Sequence, residues 1–417
     1  MNTSAFLVEP IEEARFCQAL TLFRKLGYKP QAMGEEAYII DALTLKTKGL
    51  RQPRDLPVPF YGDIPWEKKV EGFSPPKEKP LFKRLHPSLQ ALAMLTCQLK
   101  ERHSSLITPQ RSWAIFTAPQ LEKERDKDHL KVLDSPEKIS PATGLALSTT
   151  GVNFLVARML GVRFYQGMSI SHVCSSGNHL LGRAKRAIEE GAQLALLVTI
   201  NSMGSILRAA YHNRLGIISK KGEIRPFHKD RDGTVMADGL AMILVASSST
   251  VRASGIEPWA RIAGVGERAD AYHMYGLDPE GEALQGAVED ALRDAKIMAP
   301  EVSLIKSHGT GTRQNEAVEG QVIDFLFSRR PPMVTALKPY MGHTVVASAL
   351  LELSYLLKNI RREGKVPPIP TTPPSQVDPQ FQGLDLILQK PRPFQGGYLL
   401  SMAAGFGGFY STAVLEI

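Results

Sequence analysis

The chain has 417 residues, 43% hydrophobic and 22% charged, with 50 Lys plus Arg against 42 Asp plus Glu for a net charge of +8. That balance excludes a disordered chain, which would hold fewer apolar residues and more uncompensated charge, and the length predicts about two to three domain-sized units, or two halves around a shared core. The basic excess is spread along the chain instead of forming a block with interleaved aromatics, which argues against a nucleic-acid partner.

The opening residues MNTSAFLVEPIEEARF have neither the basic start nor the apolar run of a secretory signal. The longest apolar runs, LALLVTI (194–200) and LAMILVA (240–246), fall far short of the ~20 residues of a bilayer span and read as core strands. A cytoplasmic protein without a membrane span is expected. Cys17, Cys97 and Cys174 are widely spaced and match no zinc or disulfide pattern, so free thiols and no metal site are expected.

In chain order, the prolines at 53, 57, 59, 65, 75, 76 and 80 predict a long surface excursion, because each fixes φ and removes a backbone donor. A helix follows at about 85–101, with Cys97 in its apolar repeat as a core residue, and the charged run 121–138 reads as a solvated helical face. From about 150 onward, short β-branched runs alternate with helical runs, the pattern of a parallel sheet covered by helices. MSISHV (168–173) leads into a helix with Leu180, Leu181, Ala184, Ala187 and Ile188 on one face and Gly191 after it; LALLVTI follows. VSLIKS (302–307) precedes a helix over about 315–329, and MVTALK (333–338) precedes one over about 344–360. The last helix is apolar nearly all round and is expected to be buried, with Arg361 and Arg362 at its negative end and Gly364 as its stop.

In such sheets reactive groups collect on loops at the carboxyl ends of strands. Cys174 follows 168–173, His308 follows 302–307 and His343 follows 333–338, so one thiol and two imidazoles are aimed at one edge. Either histidine alone would read as a hydrogen-bonded loop residue; the joint placement makes the candidate site. At a helix N-terminus the Cys174 thiol is expected to ionise more easily than its usual ~8.5, and to accept an acyl group from a thioester.

The stretch VCSSGNH around Cys174, HGTGT at 308–312, Lys338 with GHT at 342–344, Glu352 nine residues beyond His343, RPF…DRDG at 225–233 and GFGG at 405–408 occur in this order. Together they resemble the elongating β-ketoacyl-acyl carrier protein synthases, condensing enzymes of fatty acid and polyketide synthesis, most strongly from about residue 140 onward. The resemblance implies an α/β thiolase-like fold of two similar halves in an α-β-α-β-α layering, divided here as 1–250 with the cysteine and 251–417 with the histidines. It implies that Cys174 is acylated by acyl carrier protein, with the N–H groups of Cys174 and Phe406 as oxyanion hole and Phe406 as gate. His308 and His343, with Lys338 beside them, then act on malonyl carrier protein, which loses carbon dioxide. Glu352 belongs to an internal hydrogen-bond network, and Thr310 and Thr312 contact the pantetheine arm. No cofactor is implied beyond the carrier's own phosphopantetheine, and a homodimer, or a heterodimer with a related subunit, is expected.

Several positions depart from the family pattern. Met402 and Ala403 replace an asparagine and a serine, Phe409 and Tyr410 replace a threonine and an asparagine, Asp238 stands where a glutamate is usual, and the glycine-rich first strand is absent. A reshaped entrance and pocket, and a specialised polyketide or lipid pathway, are expected. The alternatives are a thiolase-like acyltransferase without decarboxylation, and a pocket-shaping partner subunit, which would usually lack the cysteine.

Overall fold

The computed structural model describes residues 34–46, 85–122, 148–202 and 205–417. Cys17, the proline-rich excursion and the charged run beyond residue 122 lie outside the described residues. The first half contributes strands Ala37–Lys46 (β1), Trp113–Leu121 (β2), Gln166–Ser169 (β3), Leu194–Ser202 (β4) and Gly239–Ser247 (β5). The second contributes Ala260–Ala269 (β6), Val302–Lys306 (β7), Met333–Thr335 (β8), Lys365–Val366 (β9), Asp385–Leu386 (β10), Arg392–Pro393 (β11), Tyr398–Gly405 (β12) and Phe409–Glu416 (β13). The α-helices are Pro87–Arg102 (α1), Gly151–Leu160 (α2), Ser176–Glu189 (α3), Ile206–Arg214 (α4), Ser248–Ser254 (α5), Glu282–Ala295 (α6), Arg313–Phe327 (α7) and Ser348–Glu363 (α8).

All strands but β9 and β11 join one sheet in the order β3-β2-β4-β5-β1-β6-β13-β12-β7-β8-β10. The order has internal symmetry. In the first half, parallel β3, β2 and β4 are followed by antiparallel β5 and β1. In the second, parallel β8, β7 and β12 are followed by antiparallel β13 and β6. The halves meet where β1 pairs β6 through Tyr38 with Arg261 and Ile39 with Ala260.

The period-2 alternation of strands explains the layering. Trp113, Ile115, Leu194 and Leu196 face a core shared with α1 and α2. Their neighbours Ala114, Phe116, Ala195 and Leu197 face a central core that holds α3 and α8 together with Leu304 and Leu399 of the second half. Ile305, Val334, Leu400 and Val414 face a third core with α6 and α7. The result is the expected α-β-α-β-α stack, and β4 and β5 read as unbroken apolar runs because both of their faces are covered.

Helix α8 is buried as its sequence demands: Leu350, Leu351, Leu353, Leu356 and Leu357 are all enclosed, each worth roughly 1.5–3 kcal/mol of burial. Gly364 closes it at φ 63°. Helix α3 crosses α8 at Gly177, where a Cβ would stand 2.8 Å from the Cβ of Ala349 and from the amide of Leu350. Any side chain at Gly177 would separate the helices that carry the two halves of the site.

Three local expectations are corrected. The strand expected at 168–173 runs only over β3, and the helix expected from 344 begins at Ser348. In both places a single 3₁₀ turn intervenes, Val173–Ser175 before α3 and Val345–Ala347 before α8, each opened by a valine at positive φ (47° and 46°). A β-branched residue there is strained, and this strain flanks both Cys174 and His343. Cys97 is half-buried instead of core, because its side of α1 is only partly covered.

Candidate active site

Cys174 sits in the turn that feeds α3, with Gly405 at the end of β12 passing over it. A Cβ at Gly405 would lie 2.8 Å from the His172 carbonyl oxygen and 3.3 Å from the Cys174 amide nitrogen, so only glycine lets β12 bring Phe406 beside the thiol. Asn178, in the first turn of α3, fixes this junction by donating to the carbonyls of Ser401 and Ser411 at 2.9 Å each.

His308 leaves β7 on a loop that α7 holds from beneath. Glu319 accepts from the amides of His308 and of Gly309 (3.0 Å) and from Asn315 Nδ2 (3.2 Å), and Glu316 accepts from the Gly311 amide at 2.6 Å. His343 is clamped by bonds from its own N–H to the Val235 carbonyl (2.7 Å) and from the Ala237 N–H to its carbonyl (3.0 Å). Cys174 Sγ lies 3.2 Å from His343 Nε2, and one donor atom from each of Cys174, His308 and His343 lies within 4.8 Å of the others, all buried. The two rings stand 5.6 Å apart at 83°.

Behind them, Lys338 Nζ reaches the His308 carbonyl (2.5 Å), His308 Nδ1 (3.4 Å) and Glu352 Oε1 (2.8 Å), while Lys306 Nζ reaches Glu352 Oε2 at 3.0 Å. Lys338, Lys306 and Glu352 are fully buried. A lysine ammonium only donates, so it leaves His308 Nδ1 as acceptor and the proton on Nε2. Ser348 does the same for His343: its Oγ accepts from the Thr344 N–H (3.1 Å), and its hydroxyl hydrogen is then free for His343 Nδ1 at 3.0 Å. Both imidazoles thus carry their hydrogen on Nε2. Burial, reinforced by the positive charge of Lys338, holds both well below the usual histidine value, so they are neutral hydrogen-bond donors near pH 7.

The expectation of a readily ionised thiol is corrected. Cys174 is enclosed, and burial pushes its thiol up to about 12, with the Lys338 charge opposing. The resting state is a thiol. The helix N-terminus and the nearby Nε2–H come into effect as negative charge develops on sulfur.

The sulfur and both rings open onto a cavity of about 570 Å³ that continues past Thr310, Thr312, Lys220 and Arg313. The Oγ1 atoms of Thr310 and Thr312 are 3.0 Å apart. Phe406 is half-buried in the wall, with its ring 6.3 Å from that of Tyr275 and 6.5 Å from that of His212. Of the departures, Met402, Ala403, Phe409 and Tyr410 do not line the cavity. Met402 and Ala403 are core, Phe409 stacks on His172 at 4.9 Å, Tyr410 donates to Asp270 at 2.8 Å, and Asp238 is buried. Their effect on the entrance and pocket, expected from the sequence, is therefore confined to what supports the wall.

Sequence reasoning missed Lys306, Ser348, Glu316, Glu319 and His212. Glu316 and Glu319 carried a readable signal, since two acids in the first turns of a helix directly after a glycine-rich loop can reach back to its amides. His212, a cavity-lining imidazole that burial and then Arg208 lower to about 4, carried none.

Comparison with known proteins bears on the family and the fold. The family described as "Beta-ketoacyl synthase, N-terminal domain" matches residues 90–250, and "Beta-ketoacyl synthase, C-terminal domain" matches residues 259–372. The tetracenomycin polyketide synthase ketoacyl synthase alpha subunit of Streptomyces glaucescens is 30% identical over 254 residues, 59% of each chain. The 3-oxoacyl-[acyl-carrier-protein] synthase 2 of Mycobacterium tuberculosis is 30% identical over 242 residues, 56% of this chain and 57% of that one. The alignment thus spans less than two thirds of either relative. Among solved structures, a β-ketoacyl synthase from Burkholderia phymatum superposes with a TM-score of 0.78 at 21% identity, covering 92% of this chain and 99% of that one. The ishigamide ketosynthase/chain length factor gives 0.78 at 19%, with the same coverage, and a type II polyketide ketosynthase in complex with its acyl-carrier protein gives 0.77 at 20%. With a thiol and two neutral imidazoles converging from the two matched halves of a thiolase-like fold, this chain belongs to the β-ketoacyl synthase family.

Proposed function

We propose that this chain is a β-ketoacyl-acyl carrier protein synthase that extends an acyl group on Cys174 by two carbons from malonyl carrier protein, in a specialised polyketide or lipid pathway. The observation that carries this reading is the convergence of Cys174, His308 and His343 within 4.8 Å in one buried cavity. Cys174 sulfur attacks the carrier thioester, and the backbone N–H groups of Cys174 and Phe406 receive the oxyanion. The carrier leaves as a free thiol, which takes up the proton lost by Cys174. Malonyl carrier protein then enters past Thr310 and Thr312, and its thioester oxygen accepts from the Nε2–H groups of His308 and His343. The bond to the terminal carboxylate breaks, carbon dioxide departs, and the electron pair left behind forms an enolate that the two donors stabilise. The enolate carbon attacks the acyl carbonyl and expels the Cys174 thiolate.

Lys338 holds His308 in the donating tautomer, and Glu352 fixes Lys338. No metal or dissociable cofactor enters this scheme. The acyl carrier protein is the proposed partner, and the sheet ends on β3 beside exposed Phe154, Tyr165 and Met168, which supports assembly with a second copy or a related subunit. Among the described residues, no helix is long and apolar enough to cross a membrane.

Incubation with a panel of acyl carrier proteins plus malonyl carrier protein, with products read by mass, tests the reading. Products heavier by two carbons and one keto group, with one carbon dioxide released per turnover, are expected. Acyl transfer without carbon dioxide release would instead favour the acyltransferase alternative.

A further inference from the structure

Lys306 ends β7 two residues before His308, and its strand neighbours Thr335 and Ser401 carry no charge. It is fully buried, and its ammonium takes the Glu352 oxygen that Lys338 leaves free. One carboxylate suffices to balance Lys338, and burying a second ammonium costs several kcal/mol unless it is well paired. A second lysine at this depth therefore calls for a role. The charged and titratable groups that surround it are Glu352 from α8, Glu319 from α7, Lys338 from the turn after β8, and the imidazoles of His308 and His343.

We propose that Lys306 is a positioning residue of the condensation site. It shares Glu352 with Lys338, so that the carboxylate cannot swing away from Lys338, and it adds a second fixed positive charge behind both imidazoles. With that charge in place, protonation of either ring is disfavoured, and Nδ1 of His308 stays available to Lys338. The lowered histidines agree in direction: burial is the first cause for each, Lys338 follows, and Lys306 adds to it. Burial lowers Lys306 itself while Glu352 opposes. A protonated His308 would lose its acceptor for Lys338 and repel it, so the device matters most on the acid side of neutrality.

The catalytic consequence rests on the ketosynthase reading, whereas the charge state of the rings does not. Labelled carbon dioxide release from malonyl carrier protein is measured against pH for the wild type and Lys306→Met. Lys306→Met is expected to move the acid limb to higher pH by about half a unit or more, with a larger loss of carbon dioxide release near pH 6 than of acyl loading. A purely structural role would lower melting temperature and rate at every pH without moving the limb, and that result overturns the proposal. Should the variant fail to fold, ¹⁵N-histidine NMR of the wild-type protein decides. Both rings are expected to remain neutral with the hydrogen on Nε2 between about pH 5.5 and 8, and a cationic ring in that interval overturns the proposal. Absence of any carbon dioxide release from the wild type would sink the ketosynthase reading and leave the NMR result to judge Lys306.

Discussion

Cys174 Sγ and His343 Nε2 lie 3.2 Å apart although 169 residues separate them in the chain. The contact depends on Ser348, whose Oγ is 3.0 Å from Nδ1 of the same ring and also accepts the Thr344 N–H. Ser348→Ala removes the donor that keeps the hydrogen on Nε2. A lost hydrogen bond of about 1–1.5 kcal/mol predicts a fall in condensation rate on the order of tenfold, with fold and carrier affinity retained. Steady-state kinetics with a fixed acyl carrier protein checks this, and an unchanged kcat would remove Ser348 from the site.

The division of labour between sulfur and rings predicts two separable defects. Cys174→Ala should abolish acyl loading seen by intact-protein mass spectrometry, because among the described residues no other thiol lines the cavity. His308→Ala should spare loading yet block carbon dioxide release from malonyl carrier protein, because its Nε2–H stabilises only the enolate. Loading that persists in the first variant, or normal release in the second, would reassign that residue to structure.

Gly405 holds β12 against the turn that carries Cys174, and Gly405→Ala places a methyl group 2.8 Å from the His172 carbonyl oxygen. Either the strand or the turn must retreat, at a cost of about 1–3 kcal/mol. Phe406 and the Cys174 amide separate as a consequence. Acyl loading should slow more than the loss of stability accounts for; thermal unfolding and loading rate, measured on the same preparation, distinguish the two effects.

The reactive residues were readable because each lies in a short polar, glycine-bearing stretch between a strand and a helix, although only β7 leads almost directly to its histidine, whereas β3 ends at Ser169 and β8 at Thr335. The strain was not readable: Val173 and Val345 at positive φ contradict the preference of a β-branched residue, and each opens a 3₁₀ turn that the local sequence does not signal. Lys306 also escaped, since in VSLIKS it occupies the place where a strand normally turns a polar residue to solvent. Its partner Glu352 is 46 residues away on a helix whose apolar surround announced a buried acid without naming its second cation. The thiol was misjudged for a related reason. The helix terminus is local and visible in the sequence, whereas the burial that raises Cys174 comes from β12, α8 and the histidine loops, all distant in the chain.

Glu316 gives the pH dependence of stability a testable sign. Burial pushes its carboxyl from an ordinary value of 4.5 up to about 8, against the pull of the Gly311 amide. Between those values the folded chain binds more protons at this position than the unfolded chain, so its contribution to stability falls as pH rises, by up to about 1.4 kcal/mol per pH unit. The buried histidines act in the opposite sense: lowered in the fold, they cost stability as pH drops below 6.5. Comparison with Glu316→Gln isolates the carboxyl, because glutamine keeps an acceptor for the Gly311 amide and cannot ionise. Urea unfolding of both proteins from pH 5 to 8 should show the wild type losing ground steadily to the variant as pH increases. Parallel curves would mean that Glu316 is already ionised in the fold and that the loop carrying His308 rests on a carboxylate instead of a carboxylic acid.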